Sequence, residues 1–337
     1  MTPAHNLRPA LTSTGTGDSP TPSGAHAVIG QTDGVERIIE AQPGDEVPIW
    51  IQDRGGRGLR LRGHIVIEDL RPVLSAIATQ QGANGPQNPV TQYMLAEASH
   101  YLADRLLDDG QPTNDGRASV PRTLSSALGH QPFVETVLGM SQHQMLRRWP
   151  LASDWYTDVI NYVMRPARFT SPSSPLAPQL VEHATGPLGD LIRFFVDESY
   201  RLAAASRTIR VAEALQTLWP DYPPVRHAMA SYRHEVLEQY VPLYNAIIAA
   251  YDLRPHRDID LTAISWAFNA LSSRNIIEQL ADQNPIRVDA HGTPWTLAAY
   301  NCLLLVAGSC TDHAGRTLPP EEFAALLPVA PLNLGDA

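Results

Sequence analysis

Residues 141–148 read Ser-Gln-His-Gln-Met-Leu-Arg-Arg, a run whose side chains suit base and phosphate recognition. Glutamine and arginine make bidentate hydrogen bonds with adenine and guanine edges in the major groove, while further arginines and a helix N-terminus hold phosphates. Ser141, Gln142, His143, Gln144, Arg147 and Arg148 are therefore the candidate DNA-contacting residues. The bland alternative for the same run is a solvated amphipathic helix.

Other chemistries have less support. His234, Glu235 and Glu238 lie close on one helical stretch, with His227 two turns earlier. That pattern is HExxE rather than HExxH, and a single helix face seldom completes a metal site, so it reads as an exposed charged face. All 25 basic side chains are arginine, which excludes a lysine Schiff base, a Walker-A lysine and a lysine general base. No GxSxG, GxxxxGK[ST] or GxGxxG motif occurs. We expect no enzymatic activity, no metal and no cofactor. Cys302 and Cys310, eight apart in one apolar segment, fit neither a CxxC site nor a disulfide framework and read as buried thiols of a cytoplasmic protein.

The elements that must carry the 141–148 run are helical. Residues 133–138 can form a short helix, Gly139 a sharp turn, and Ser141 the N-cap of a second helix that ends at Trp149 before Pro150. Met145 and Trp149, one turn apart, should pack inward and leave Gln142, His143, Gln144, Arg147 and Arg148 on more exposed faces. Ser153 and Asp154 open a third helix with Trp155, Val159, Ile160 and Val163 on its apolar face. Upstream, residues 91–109 place Met94, Leu95, Ala98, Leu102, Leu106 and Leu107 on one stripe.

Composition frames these pieces. The chain has 337 residues and a net charge of −10, so any polyanion must meet a local patch. Residues 171–337 carry −7 of that charge, whereas 116–170 are locally +3. Residues 1–34 are rich in Ser, Thr, Pro and Gly, and a disordered tail is expected. Residues 35–89 form an N-terminal extension with a small β-hairpin, its two runs joined by Gly-Gly-Arg-Gly at 55–58. Arg54, Arg57, Arg60 and Arg62 there could touch DNA as an auxiliary arm, or simply solubilise the hairpin. The Gly/Asn/Pro-rich stretch 80–89 should separate this extension from the helices downstream. Residues 90–168 and 179–317 are read as two helical domains joined by a Pro/Ser-rich connection, with a tail over 318–337. The longest apolar stretch, near 297–308, is too short to cross a bilayer.

Two segments give these patterns a family likeness. MLAEASHYLADRLLDDG (94–110) and LGMSQHQMLRRWP (138–150) resemble the first helix and the helix-turn-helix of the TetR family of bacterial regulators. In the second segment Leu146 replaces the usual Tyr, no Lys follows Pro150, and residues 111–130 make a longer connection than usual. Within that connection, 122–130 could form an additional short helix. Residues 260–280 and 295–310 are similar to the last two TetR helices, which pair across a twofold axis, and Ala263, Ala267, Ala270 and Ser272 would permit close approach.

The resemblance implies an all-α fold: a helix-turn-helix DNA-binding domain, then a helical ligand-binding and dimerisation domain. It further implies a homodimer, a double-stranded DNA operator and a pocket for a small apolar ligand. Aromatic residues suit such a wall. Phe195, Trp219, Tyr232, Tyr240, Tyr244 and Trp266 are the principal candidates, with Phe194, Leu215 and Phe268 nearby. The alternative function is a TetR-like ligand-binding or scaffold protein that has lost sequence-specific DNA binding.

Overall fold

The computed structural model describes residues 28–32, 35–52, 58–107, 132–165, 176–280, 286–289 and 292–334. Arg54, Arg57, the 111–130 connection and most of the 166–178 segment lie outside them. Among the described residues the chain is mostly helical.

The N-terminal extension opens with β1 (Val28–Thr32) antiparallel to β2 (Val35–Glu40). The expected tail over 1–34 thus already carries a paired strand at 28–32. The hairpin comes next as β3 (Glu46–Gln52) and β4 (Leu59–Val66). Along β3 burial alternates, with Val47, Ile49 and Ile51 inward, as a half-covered strand requires.

The helices begin with α1 (Pro89–Leu107), α2 (Pro132–Leu138, a π-type turn), α3 (Gln142–Leu146) and α4 (Ala152–Met164). Next come α5 (Ala177–His183), α6 (Leu188–Ala205), α7 (Arg207–Leu218) and the long α8 (Pro223–Ala250). The strand pair β5 (Arg254–Pro255) and β8 (Cys310–Thr311) flanks α9 (Leu261–Leu280) and α10 (Leu297–Ser309). Between those two helices lies the ribbon β6 (Ile286–Val288) and β7 (Pro294–Thr296), and α11 (Pro320–Ala324) comes last. No described helix is long and apolar enough to cross a membrane.

Two apolar cores organise these elements. In the first, Ile49, Ile51, Leu70, Leu74 and Ile77 of the extension pack with Met94, Leu95 and Leu102 of α1, and with Val159, Ile160 and Val163 of α4. The 80–89 stretch therefore joins rather than separates. Gln87 and Asn88 in it are buried, and a buried polar group must find partners. Ala41 N–H donates to the Gln87 carbonyl, and the Asn88 amide donates to the Ile39 carbonyl at 2.8 Å.

The first core also takes Val211 and Leu215 of α7 and Val225 and Ala228 of α8. The second core holds α5, α6, α9, α10 and the end of α8. The division between cores thus runs through α8, and not through the Pro/Ser-rich connection as expected. The 318–337 tail is likewise corrected: Phe323 is fully buried, Leu332 nearly so, and Val329 N–H donates to the Ala250 carbonyl at 2.7 Å. Gly189 makes this strap possible, because a Cβ there would lie 2.9 Å from the Ala324 Cβ.

Candidate functional site

Two regions carry the sequence-predicted residues: the surface around α3 and a cavity that touches both cores. At α3 the expectation holds in part: the turn at Gly139 is present, but the segment before it is π-type and α3 ends at Leu146 rather than Trp149. Gly139 turns the chain at φ +65°, a conformation that costs other L-residues about 1–2 kcal/mol. Met140 N–H donates back to the Val134 carbonyl across this turn. Beneath it Phe133, Trp149 and Trp155 are fully buried, with the two tryptophan rings edge to face at 4.8 Å and Phe133 stacked on Trp155 at 5.6 Å. The Trp149 indole N–H donates to Asp158 Oδ2 at 2.8 Å, and Ala76 N–H donates to Oδ1 at 2.9 Å. Trp149 is core, as its spacing from Met145 implied.

That anchoring decides what α3 presents. His143, Leu146 and Arg147 are exposed, while Ser141, Gln142 and Gln144 are half-buried. Ser141 occupies the N-cap with extended backbone but its hydroxyl makes no capping bond. The Gln142 amide donates to Glu135 at 3.3 Å, and the Gln144 amide to the Gln52 carbonyl at the end of β3.

Arg148 contradicts its predicted exposure. It is 2% exposed, and its guanidinium donates to Thr91 Oγ1, the Gln144 and Ala83 carbonyls and Asn88 Oδ1 at 2.8–3.1 Å. Helical periodicity placed it correctly beside Gln144, but nothing local announced that the extension would cover it. Burial first, and the nearby guanidinium groups of Arg37 and Arg147 second, pull its pKa down to about 10. It still carries its charge at neutral pH, and it acts as a clasp between α1, α3 and the extension.

The extension in turn brings arginines to the α3 surface. A register shift between Ile49 and Trp50 leaves Arg62 as the extra residue of a β-bulge on β4, a device that re-aims a side chain. The Arg62 guanidinium donates to the Leu138 carbonyl at 3.1 Å, immediately before the Gly139 turn. Arg37, which sequence inspection missed, sits close enough to Arg148 to perturb it. Strand pairing decides its position, so no local motif could have revealed it. Positive charge from β2 and β4 thus lies near Arg148 and beside the turn that leads into α3.

The second region is a cavity of about 790 Å³, within the size range of small-molecule sites. Its walls come from α6, α7, α8, α9 and α10, with the end of α4 and extension residues Pro43, Gly44, 67–70 and Val73. Phe195, Tyr232, Tyr240 and Tyr244 line it as predicted, and Phe268 joins Tyr244 at 5.3 Å. Trp219 and Trp266 do not line it. Trp219 packs against the first core, and Trp266 lies beneath the Arg233 guanidinium at 4.5 Å. Aromatic content alone could not separate these positions, because neighbouring helix residues face different ways. Phe194 instead stacks on His183, and Leu215 is buried in the first core.

Burial pushes the Tyr232 phenol up to about 12 and drives Tyr240 and Tyr244 higher still, so all three stay neutral. Sequence inspection missed Ser199, Tyr200, Ser265, Asn269 and Cys302 in the wall. It also missed the contact with the extension. There Arg165, just past α4, donates to both carboxylate oxygens of Glu68 at 2.9–3.0 Å, and both residues border the cavity.

His234 and Glu238 form an exposed pair at 3.1 Å, and no group of three possible metal-ligating side chains occurs among the described residues. No protein-family model, curated protein or solved structure matches the chain.

Proposed function

We propose that the chain is a homodimeric, TetR-like transcriptional regulator, acting as a repressor, whose affinity for a double-stranded DNA operator responds to a small apolar ligand in the cavity. In this reading α2 and α3 are the helix-turn-helix. The observation that carries it is the exposed α3 edge, His143 and Arg147, anchored over the Phe133–Trp149–Trp155 cluster, with Arg62 at the turn before it and Arg37 near Arg148. Anchored presentation suits base readout, and nearby guanidinium groups suit phosphates. The cavity supports the sensor half, because it touches the end of α4 and the extension as well as the second core. A ligand that prefers one arrangement of these parts would bias DNA affinity.

Dimerisation has its own support. Ala263 and Ala270 on α9, with Leu297, Leu304 and Gly308 on α10, are exposed, which leaves apolar helical stripes uncovered in a single chain.

A second reading, a ligand-binding protein that has lost DNA binding, is favoured by the burial of Arg148 and by Leu146, 42% exposed where the family has Tyr. Selection of binding sites from random duplexes, with gel shifts on the selected sites, separates the two. The regulator reading expects a preferred sequence, and loss of that preference with Gln142→Ala and Arg147→Ala together. It also expects affinity to fall steeply between low and moderate salt as phosphate-bound cations are displaced. Sequence-indifferent binding, unchanged in the double variant, would establish the second reading.

A further inference from the structure

The proposed sensor cavity has an uneven wall chemistry that narrows what it can hold. On the side built by α6, α9 and α10 it is lined by Leu191, Ile264, Cys302 and Cys310, all buried and uncharged. In the same wall, Ser199 of α6 and Ser265 of α9 carry buried hydroxyl oxygens with no hydrogen-bond partner. Ser265 is 2% exposed, and Asn269, one turn further along α9, adds an amide to that wall. An unsatisfied buried hydroxyl is costly, so a ligand group that bonds it is rewarded twice. Both Oγ atoms are shielded from solvent, and a serine hydroxyl has three staggered χ1 wells in which to meet a ligand.

Charge is confined to other parts of the lining. Among the described lining residues Glu68, Asp69, Glu213 and Glu235 face a single guanidinium, Arg165, which is already committed to Glu68. An anion would face this acidic set and, among the described lining residues of α6, α9 and α10, find no cation. A cation seated on the α6, α9 and α10 side would leave water for hydroxyls and aliphatic groups, a transfer that isolated charges do not tolerate.

We infer that the cavity takes an uncharged, mainly apolar molecule bearing one hydrogen-bonding group, such as an alcohol or ketone, with that group seated between Ser199 and Ser265. This rests on reading the cavity as a ligand site, but not on DNA binding.

Calorimetric titration of the full chain with a matched set tests it: 4-phenylbutan-1-ol, 4-phenylbutanoate, 4-phenylbutylammonium and butylbenzene. The alcohol should bind at least about tenfold more tightly than either ion, the difference that one desolvated charge readily produces. Ser199→Ala with Ser265→Ala should weaken the alcohol about 3- to 10-fold, the loss of one or two neutral hydrogen bonds, and leave butylbenzene unchanged. The unliganded double variant should melt no lower than the parent, because the hydroxyls it loses are unsatisfied. Val306→Trp, which fills the lumen from α10, should abolish binding of all four.

Equal or tighter binding of an ion, or an unchanged alcohol affinity in the serine variant, would overturn the inference. So would binding that survives Val306→Trp. Because these titrations contain no DNA, a chain that prefers the alcohol but ignores DNA refutes the regulator and keeps the ligand class. A chain that selects an operator but binds the ions equally well does the reverse.

Discussion

Arg147 and Arg148 are adjacent and chemically identical, yet their environments give them opposite duties. Arg148 makes four hydrogen bonds inside the first core, whereas Arg147 is exposed. Arg148→Met should lower unfolding stability by about 3 kcal/mol, since bonds to a charged donor are lost and buried acceptors such as the Ala83 carbonyl are stranded. Arg147→Ala should change it by no more than about 0.5 kcal/mol, as exposed substitutions do. Urea denaturation of the two variants reads the contrast directly. A lysine at 148 would not restore it, because one ammonium cannot reproduce the spread of a guanidinium fork.

The two cysteines extend the residue-scale argument to pH. Burial pushes the Cys302 thiol up to about 12 and the Cys310 thiol up to about 11, from an ordinary value of 9. The native chain should therefore react with a thiol reagent at pH 8 far more slowly than the chain in denaturant. The folded state holds these protons above the pH at which the unfolded chain releases them. Unfolding thus becomes easier as pH rises through about 9, and the cost is complete only above the folded values. Thiol titration and denaturant melts across pH 8–11 check both halves.

At the scale of elements, α1 depends on Asn88. Its side-chain oxygen accepts from Val90 and Thr91 N–H and from Arg148, and its amide donates to Ile39 in β2. One buried residue caps α1, clasps the extension and steadies the arginine that secures α3. Asn88→Ala should cost about 2 kcal/mol or more, beyond an ordinary cap, because buried partners lose their bonds as well. Hydrogen exchange should show faster opening at the start of α1 and in β2 together. The helix α8 has a different role. Its first half packs in the first core and its end in the second, with Pro242 between Tyr240 and Tyr244. A proline inside a helix removes one backbone bond, and this one does so where α8 passes the cavity.

For the whole molecule, the decisive feature is that the extension, the α3 surface and the cavity share structure. Glu68 and Arg165 border the cavity and tie the extension to the end of α4, while Arg62 and Arg148 tie the extension to α2 and α3. The exposed stripes on α9 and α10 are the outer faces of helices whose other sides build the second core, in the acidic half, far along the chain from the α3 run. If they form a twofold interface, Leu304→Arg should convert the dimer to monomer in sedimentation, since a closed interface repeats the buried charge on both sides. Its secondary structure should be unchanged, because Leu304 is exposed within one chain. A parent protein that sediments as a monomer would refute the interface.

The sequence by itself determined the local features: most of the helices after residue 90, though not the short strands β5–β8 among them, the Gly139 turn, the inward Met145 and Trp149, and the 46–66 hairpin. Periodicity, turn chemistry and proline act over a few residues, so they are legible in any short window. Only the tertiary structure decided that Arg148 is internal, that 80–89 and 318–334 are packed straps, and that Trp219 and Trp266 lie outside the cavity lining. It also brought Arg37 near Arg148 and Arg62 to the turn before α3, and set Ser199 and Ser265 in one wall. These outcomes depend on which distant surfaces cover a residue, and burial by a partner far along the chain leaves no mark on the residue's own neighbours in sequence.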